Sequence, residues 1–133
     1  MRLISWNVAR ALKNVPQLVE ALGYRDPDIV AFQEVNAHAA PLFEKEFARI
    51  GLPYVAHTLQ NSFERKLSGV LIASRFALNL LAGLPQSELW PEGLHPTESD
   101  SEILTRHWSK RMLFVTIKCP WGEIDLYNAY ITP

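Results

Sequence analysis

The run Ile29-Val30-Ala31-Phe32 limits the fold more than any other stretch of this chain. It is apolar at every position, it follows the turn Asp26-Pro27-Asp28, and it stops on Gln33-Glu34. A strand with one wet face alternates apolar and polar residues, whereas an unbroken apolar run marks a strand covered on both faces. The run is therefore expected to be covered on both faces. Two other apolar runs also end on polar side chains, Ile4-Ser5-Trp6-Asn7 and Leu126-Tyr127-Asn128-Ala129-Tyr130. A strand that ends on a carboxamide, carboxylate or phenol delivers that group to the rim of a sheet. Three such deliveries point to one site with oxygen-rich chemistry suited to a divalent metal and a phosphate.

The elements around these runs follow from local signals. Residues 2–7 form a first strand. Asn14 sits at a helix N-cap position, Pro16 in the first turn and Gly23 near the end, with Val15, Leu18, Val19 and Leu22 at helical spacing. Asn36 is placed to cap a second helix, whose apolar stripe is Leu42, Phe43, Phe47 and Ile50 and whose stop is Gly51-Leu52-Pro53. Strands are then expected at Tyr54 to Leu59, Ser68 to Ser74 and Ala77 to Leu81, and a short one at 102–108. Residues 84–101, rich in Pro, Glu and Ser, read as a surface loop. Met112 to Cys119 and Glu123 to Tyr130 form a hairpin around Pro120-Trp121-Gly122.

This order gives an α+β fold, a mixed β-sheet with its helices on one face. Leu113, Val115 and Ile117 add a further apolar stripe. Read as one sheet, the chain has nothing to cover its second face. The expected consequence is a homo-oligomer packed sheet to sheet, or residues 84–101 folded back as a lid, because large exposed apolar patches are unusual on soluble monomers.

Composition bounds the function. At 133 residues the chain is one domain's worth, and 48% hydrophobic content supports an ordinary core. Thirteen basic against fourteen acidic side chains give a net charge of -1, so only a local basic patch could draw in nucleic acid. Arg65-Lys66, Arg75 and Lys110-Arg111 are the modest candidates, each as readily a solvated turn. A single Cys119 excludes an internal disulfide and fits a reducing cytoplasm. The N-terminus enters a strand at once, with no leader-like apolar region, and no run approaches the roughly 20 apolar residues of a membrane helix. His38, His57, His95 and His107 show no metal-ligand spacing, and the four Trp residues are by default packing residues.

Each strand-end residue also has a plain reading. Glu34 alone is a solvated strand end, Asn7 a turn former, and Asn128 with Tyr130 a satisfied amide beside a half-buried ring on one strand face. Taken together, S-W-N-V-A-R, D-I-V-A-F-Q-E-V, S-G-V-L-I-A-S-R-F, S-K-R-M-L-F-V-T-I and Y-N-A-Y-I-T-P occur in an order and spacing that resembles the endonuclease/exonuclease/phosphatase superfamily. The resemblance covers nearly the whole chain, and Q-E is its most specific element. It implies an N-terminal half, residues 1–133, of a four-layer α/β/β/α sandwich domain. It also implies a metal-dependent phosphoesterase acting on a phosphate-ester substrate, nucleic acid among the candidates, with Mg²⁺ or Mn²⁺ as cofactor.

By the same resemblance Glu34 and Asn7 hold the metal, Tyr130 contacts the phosphate, and Asn128 shares that role. Ala9 and Asn36 stand where apurinic-site enzymes usually carry Asp and Lys. The G-D-x-N and S-D-H-type motifs of the family do not occur in these 133 residues. The chain alone is therefore expected to be poorly active. A different function class, a non-catalytic binding or assembly module using an open sheet face, is the alternative.

Overall fold

The computed structural model describes residues 1–9, 13–59, 68–81 and 111–130. The element order is β1 (Leu3–Asn7), α1 (Val15–Gly23), β2 (Ile29–Asn36), α2 (Ala40–Arg49), β3 (Tyr54–His57), β4 (Ser68–Ser74), β5 (Leu78–Leu80), β6 (Met112–Cys119) and β7 (Gly122–Ala129). The loop expected at 84–101 and the strand expected at 102–108 lie outside the described residues, as do Arg65, Lys66 and Lys110.

These strands form two sheets. One is four-stranded, in the order β1-β2-β4-β3, and the other is three-stranded, β5-β6-β7. The first is mixed: β1 runs parallel to β2, while β4 is antiparallel to both β2 and β3. The parallel β1–β2 pair needs a crossover, and α1 supplies it. The α+β class and the helices on one face of a mixed sheet are as the sequence implies.

The period-2 rule divides β2 and β4 between two cores. Val30 and Phe32 of β2, with Leu71 and Ala73 of β4, pack under α1 and α2 against Val15, Val19, Phe43 and Phe47. The alternate residues Ile29, Ala31, Val70 and Ile72 pack against Leu113, Val115, Ile117 and Cys119 of β6. In the first core Phe32 makes edge-on contact with Phe43 at 5.4 Å and a tilted one with Phe47 at 5.4 Å between ring centroids. Such aromatic geometry adds stabilisation beyond area burial.

The second core corrects the single-sheet expectation. The stripe on β6 is not open: Leu113, Val115 and Ile117 are 5%, 0% and 0% exposed. Alternation shows that a strand has an apolar face. It does not distinguish a strand added at a sheet's edge from one stacked over its face. Here β5 pairs with β6 instead of extending the first sheet, and the hairpin lies over β2 and β4. The burial expected to need a second copy takes place within one chain, so the argument for a sheet-to-sheet homo-oligomer loses its premise.

Local details also differ from the sequence reading. Asn36 does not cap α2. It ends β2, and its Oδ1 accepts the His38 N–H at 2.9 Å in a turn that leads to Ala39, the N-cap residue. At the other end of α2, Gly51 takes φ +87° while the Leu52 N–H reaches back to the Phe47 carbonyl at 2.9 Å, a left-handed helix stop that favours glycine. Arg75, just past β4, donates to Asp26 Oδ1 at 2.5 Å and to the Pro27 carbonyl at 3.2 Å, tying down the turn before β2. The Arg75 hydrogen bond holds the exposed Asp26 carboxyl below its ordinary range.

Gly69 lies opposite Val35 on β4. A Cβ there would stand 2.4 Å from Thr58 Oγ1 and 2.8 Å from Leu59 Cδ2. Leu59 is 4% exposed, and Thr58 Oγ1 is held by the Val70 N–H at 3.1 Å. Neither can easily retreat. Gly69→Ala is expected to lower stability by about 1–3 kcal/mol, the usual cost of overpacking, read as a lower urea midpoint at unchanged slope.

Candidate functional site

β1 and β2 are adjacent and parallel, with Asn7 in register with Gln33, so the ends of both strands come out at one edge of the sheet. Asn7 is exposed there, and its carboxamide is oriented by two partners of opposite kind. Its Oδ1 accepts the Ala9 N–H at 2.9 Å, and its Nδ2 donates to Glu34 Oε1 at 3.0 Å. Flipping the amide would set N–H against N–H and oxygen against carboxylate, so the network fixes its orientation. Ala9 itself takes φ +47°.

Glu34 reaches Asn7 because β2 is irregular at this point. The register with β4 runs Phe32↔Leu71 and then Val35↔Gly69. Gln33 and Glu34 therefore face one residue, Val70, in a β-bulge. Glu34 itself has φ +54°, a left-handed conformation that is uncommon for a residue with a Cβ. In a regular strand Gln33 and Glu34 would point to opposite faces. Instead Gln33 Nε2 bonds Ser5 Oγ at 3.1 Å and Asn128 Oδ1 at 2.7 Å, while Glu34 bonds Asn7. Ser5 and Asn7 are two apart on β1 and share the face toward the second sheet. The bulge thus turns two successive side chains to one side.

Asn128 and Tyr130 come from the second sheet and its continuation, not from the sheet that carries Asn7 and Glu34. Asn128 is 3% exposed. Its Nδ2 donates to the carbonyls of Phe32 and Leu71 at 2.9 and 3.0 Å, and its Oδ1 accepts from Gln33. Both amide hydrogens are used inside the protein, so Asn128 is not placed to share a phosphate with Tyr130. Tyr130 is half-buried, packs against the core between the sheets, and has Arg111 over its ring at 6.0 Å. Its backbone N–H donates to the Arg111 carbonyl at 2.8 Å.

Among the described residues no group of three or more His, Cys, Asp and Glu side chains gathers in a metal-binding arrangement. The donors at the sheet edge are the Glu34 carboxylate and the Asn7 carboxamide. This oxygen set fits a hard cation such as Mg²⁺, which is commonly held through one or two carboxylates, substrate oxygens and several waters. It does not fit a softer ion that needs thiolate or imidazole ligands. Of the histidines, His57 Nε2 bonds Glu44 at 2.8 Å and its Nδ1 accepts the Leu59 N–H at 3.1 Å, away from this edge.

The sequence model of the endonuclease/exonuclease/phosphatase family matches residues 4–115. The chain belongs to this family. No curated protein matches it. Solved structures share its fold, among them the following three. An endonuclease/exonuclease/phosphatase from Beutenbergia cavernae DSM 12333 is 16% identical with a TM-score of 0.62. An AP endonuclease from Archaeoglobus fulgidus is 22% identical with a TM-score of 0.60. An endonuclease/exonuclease/phosphatase family protein from Leptotrichia buccalis C-1013-b is 18% identical with a TM-score of 0.58. They cover 99%, 98% and 99% of this chain, which spans 38%, 41% and 55% of theirs.

Two features of this edge were missed by sequence reasoning. Gln33 was legible as part of the Q-E motif, but its role as a bridge between Ser5 and Asn128 was not. Nor was the left-handed backbone at Glu34, since glutamate carries no signal for it. The strain has a measurable consequence. Glu34→Gly removes the Asn7 contact but relaxes the φ +54° backbone, and is expected to leave stability within about 1 kcal/mol of the parent. Glu34→Val, β-branched at the same φ, should cost a further 1–2 kcal/mol or so. Chemical denaturation of the two variants checks the difference.

Proposed function

We propose that this chain supplies the N-terminal half of a metal-dependent phosphoesterase domain that hydrolyses a phosphate-ester bond. The observation that carries the reading is the Glu34 carboxylate, turned by a bulge to the exposed edge and held by Asn7 Nδ2 at 3.0 Å. Family membership supplies the reaction class but leaves the substrate open, because one fold hosts many activities.

In this reading Glu34 binds Mg²⁺ or Mn²⁺. Asn7 keeps the carboxylate in one orientation through Nδ2; for its carbonyl oxygen to join the same centre, it would have to do so beside the Ala9 N–H that it already accepts. A bound divalent ion supplies neutralisation of the charge that develops on the phosphoryl oxygens. The Tyr130 hydroxyl donates a hydrogen bond to the phosphate, and Arg111 beside its ring adds positive charge to that side. Water activation is assigned to no residue of this chain, which carries neither the G-D-x-N nor the S-D-H-type motif. Nucleic acid is one candidate phosphate ester, since one similar structure is an AP endonuclease. Ala9 and Asn36, however, are not the residues apurinic-site enzymes usually carry. The lone Cys119 is buried and unpaired in a disulfide, which fits a cytoplasmic location. No helix among the described residues is long and apolar enough to cross a membrane.

The test is Mg²⁺-dependent hydrolysis of a generic phosphodiester and of abasic and intact DNA. The 133-residue chain alone should turn over slowly or not at all, because groups that act as a unit lose most of their effect when some are missing. In a protein with the complete domain, Glu34→Gln should reduce turnover by ~100-fold or more, at or beyond the upper end of losses seen for outer-shell partners of a metal. Turnover indifferent to Glu34→Gln or to chelation of the metal would rule the reading out.

A further inference from the structure

The bulge in β2 requires something to hold it open. At its lower end the carbonyls of Phe32 and Leu71, paired residues on β2 and β4, both accept hydrogen bonds from Asn128 Nδ2, at 2.9 and 3.0 Å. This amide comes from β7 in the other sheet. Its Oδ1 then receives Gln33 Nε2 at 2.7 Å, and Gln33 is the residue bonded to Glu34 along the chain. One buried side chain thus occupies the place of a ladder rung that the bulge removes, and also grips the first of the two bulged residues. A strained φ such as that of Glu34 persists only where its surroundings over-determine it.

We infer that Asn128 is a positioning residue for Glu34, clamping the two sheets together at the bulge so that the carboxylate points at the metal site. This rests on the metal-binding reading of Glu34 given above. Burial separates Asn128 from the substrate, and its hydrogen-bonding hydrogens are both used on backbone carbonyls, so its effect reaches Glu34 through the backbones of β2 and β4 and through Gln33. The docking of the β6–β7 hairpin and the aim of Glu34 are then one event. If the hairpin loosens, the two carbonyls lose their donor, the bulge can slip toward regular pairing, and Glu34 swings to the opposite face.

The experiment compares Asn128→Ala with Ile117→Val, which thins the same inter-sheet core without touching the bulge. Mn²⁺ affinity is measured by electron paramagnetic resonance. The backbone amide of Glu34 and the side-chain amide of Asn7 are followed by NMR. Asn128→Ala is expected to weaken Mn²⁺ binding by about tenfold or more, as loss of an outer-shell partner does, and to move both NMR signals. Ile117→Val should lower the melting temperature with Mn²⁺ affinity and both signals unchanged.

Should Asn128→Ala not fold, Gln33→Met removes the other end of the 2.7 Å bond and should move the same signals less far in the same direction. Unmoved Glu34 and Asn7 signals in a folded Asn128→Ala or Gln33→Met protein overturn the clamp. So does equal loss of Mn²⁺ affinity in Ile117→Val. Undiminished Mn²⁺ binding by Glu34→Gln would instead remove the metal reading, and shifted signals in Asn128→Ala would still support the clamp.

Discussion

Burial of β2 on both faces is the constraint on which the rest of the structure depends. Val30 and Phe32 need the helices, and Ile29 and Ala31 need the second sheet. Neither layer suffices alone, because a strand that is apolar on both sides remains half-exposed under a single cover. Burying a side chain such as Phe or Ile is worth about 1.5–3 kcal/mol relative to leaving it exposed. Three such side chains, Ile29, Val30 and Phe32, with Ala31 among them, therefore weigh heavily in a domain of this size. The three-layer order of helices, mixed sheet and antiparallel sheet is the arrangement that satisfies them all.

The candidate site lies where that enclosure lapses. Along β2 the first four residues are buried, Gln33 and Glu34 are only partly so, and Val35 and Asn36 are buried again. The opening coincides with the bulge. A polar pair placed inside the regular run would have needed partners on both faces. At the bulge both side chains turn the same way, toward the edge where β1 ends on Asn7. The geometry that breaks the ladder is also the geometry that makes a carboxylate available, and polar partners from both sheets compensate the break.

Much of this was legible in the sequence. The helix signals around Pro16 and Gly23 and the hairpin at Pro120-Trp121 each carry their own local chemistry, and each forms an element close to its expected bounds; the apolar run at 29–32 opens a strand that continues past Gln33-Glu34 to Asn36. Asn7 and Glu34 were recognisable as polar residues following apolar runs, and they do meet, although Glu34 lies at a bulge inside β2 and not at its end. Two things were not readable. Alternation in Leu113, Val115 and Ile117 is the same for a strand at a sheet edge and one stacked above a sheet, so the second layer was hidden. Asn128 showed a carboxamide on a strand but not its partners, which are backbone carbonyls carrying no sequence identity. A buried Asn that bonds the main chain looks like an Asn that bonds a ligand until its neighbours are known.

The Asn128 bonds also bear on the order in which the molecule can assemble. Gln33 and Phe32 lie 95 and 96 residues from Asn128 along the chain, whereas β2, α2, β3 and β4 follow one another in sequence. Closing so long a loop is entropically unfavourable until the contacts it brings are made. During synthesis the helices and the first sheet leave the ribosome well before β7 exists, and domains generally begin to fold from the N-terminus. The carbonyls of Phe32 and Leu71 then have no Asn128 to bond, and the stripe of Ile29, Ala31, Val70 and Ile72 has no hairpin over it. Until β7 closes, this apolar stripe lacks its cover, and the same late closure covers the stripe and completes the hydrogen bonds at the bulge.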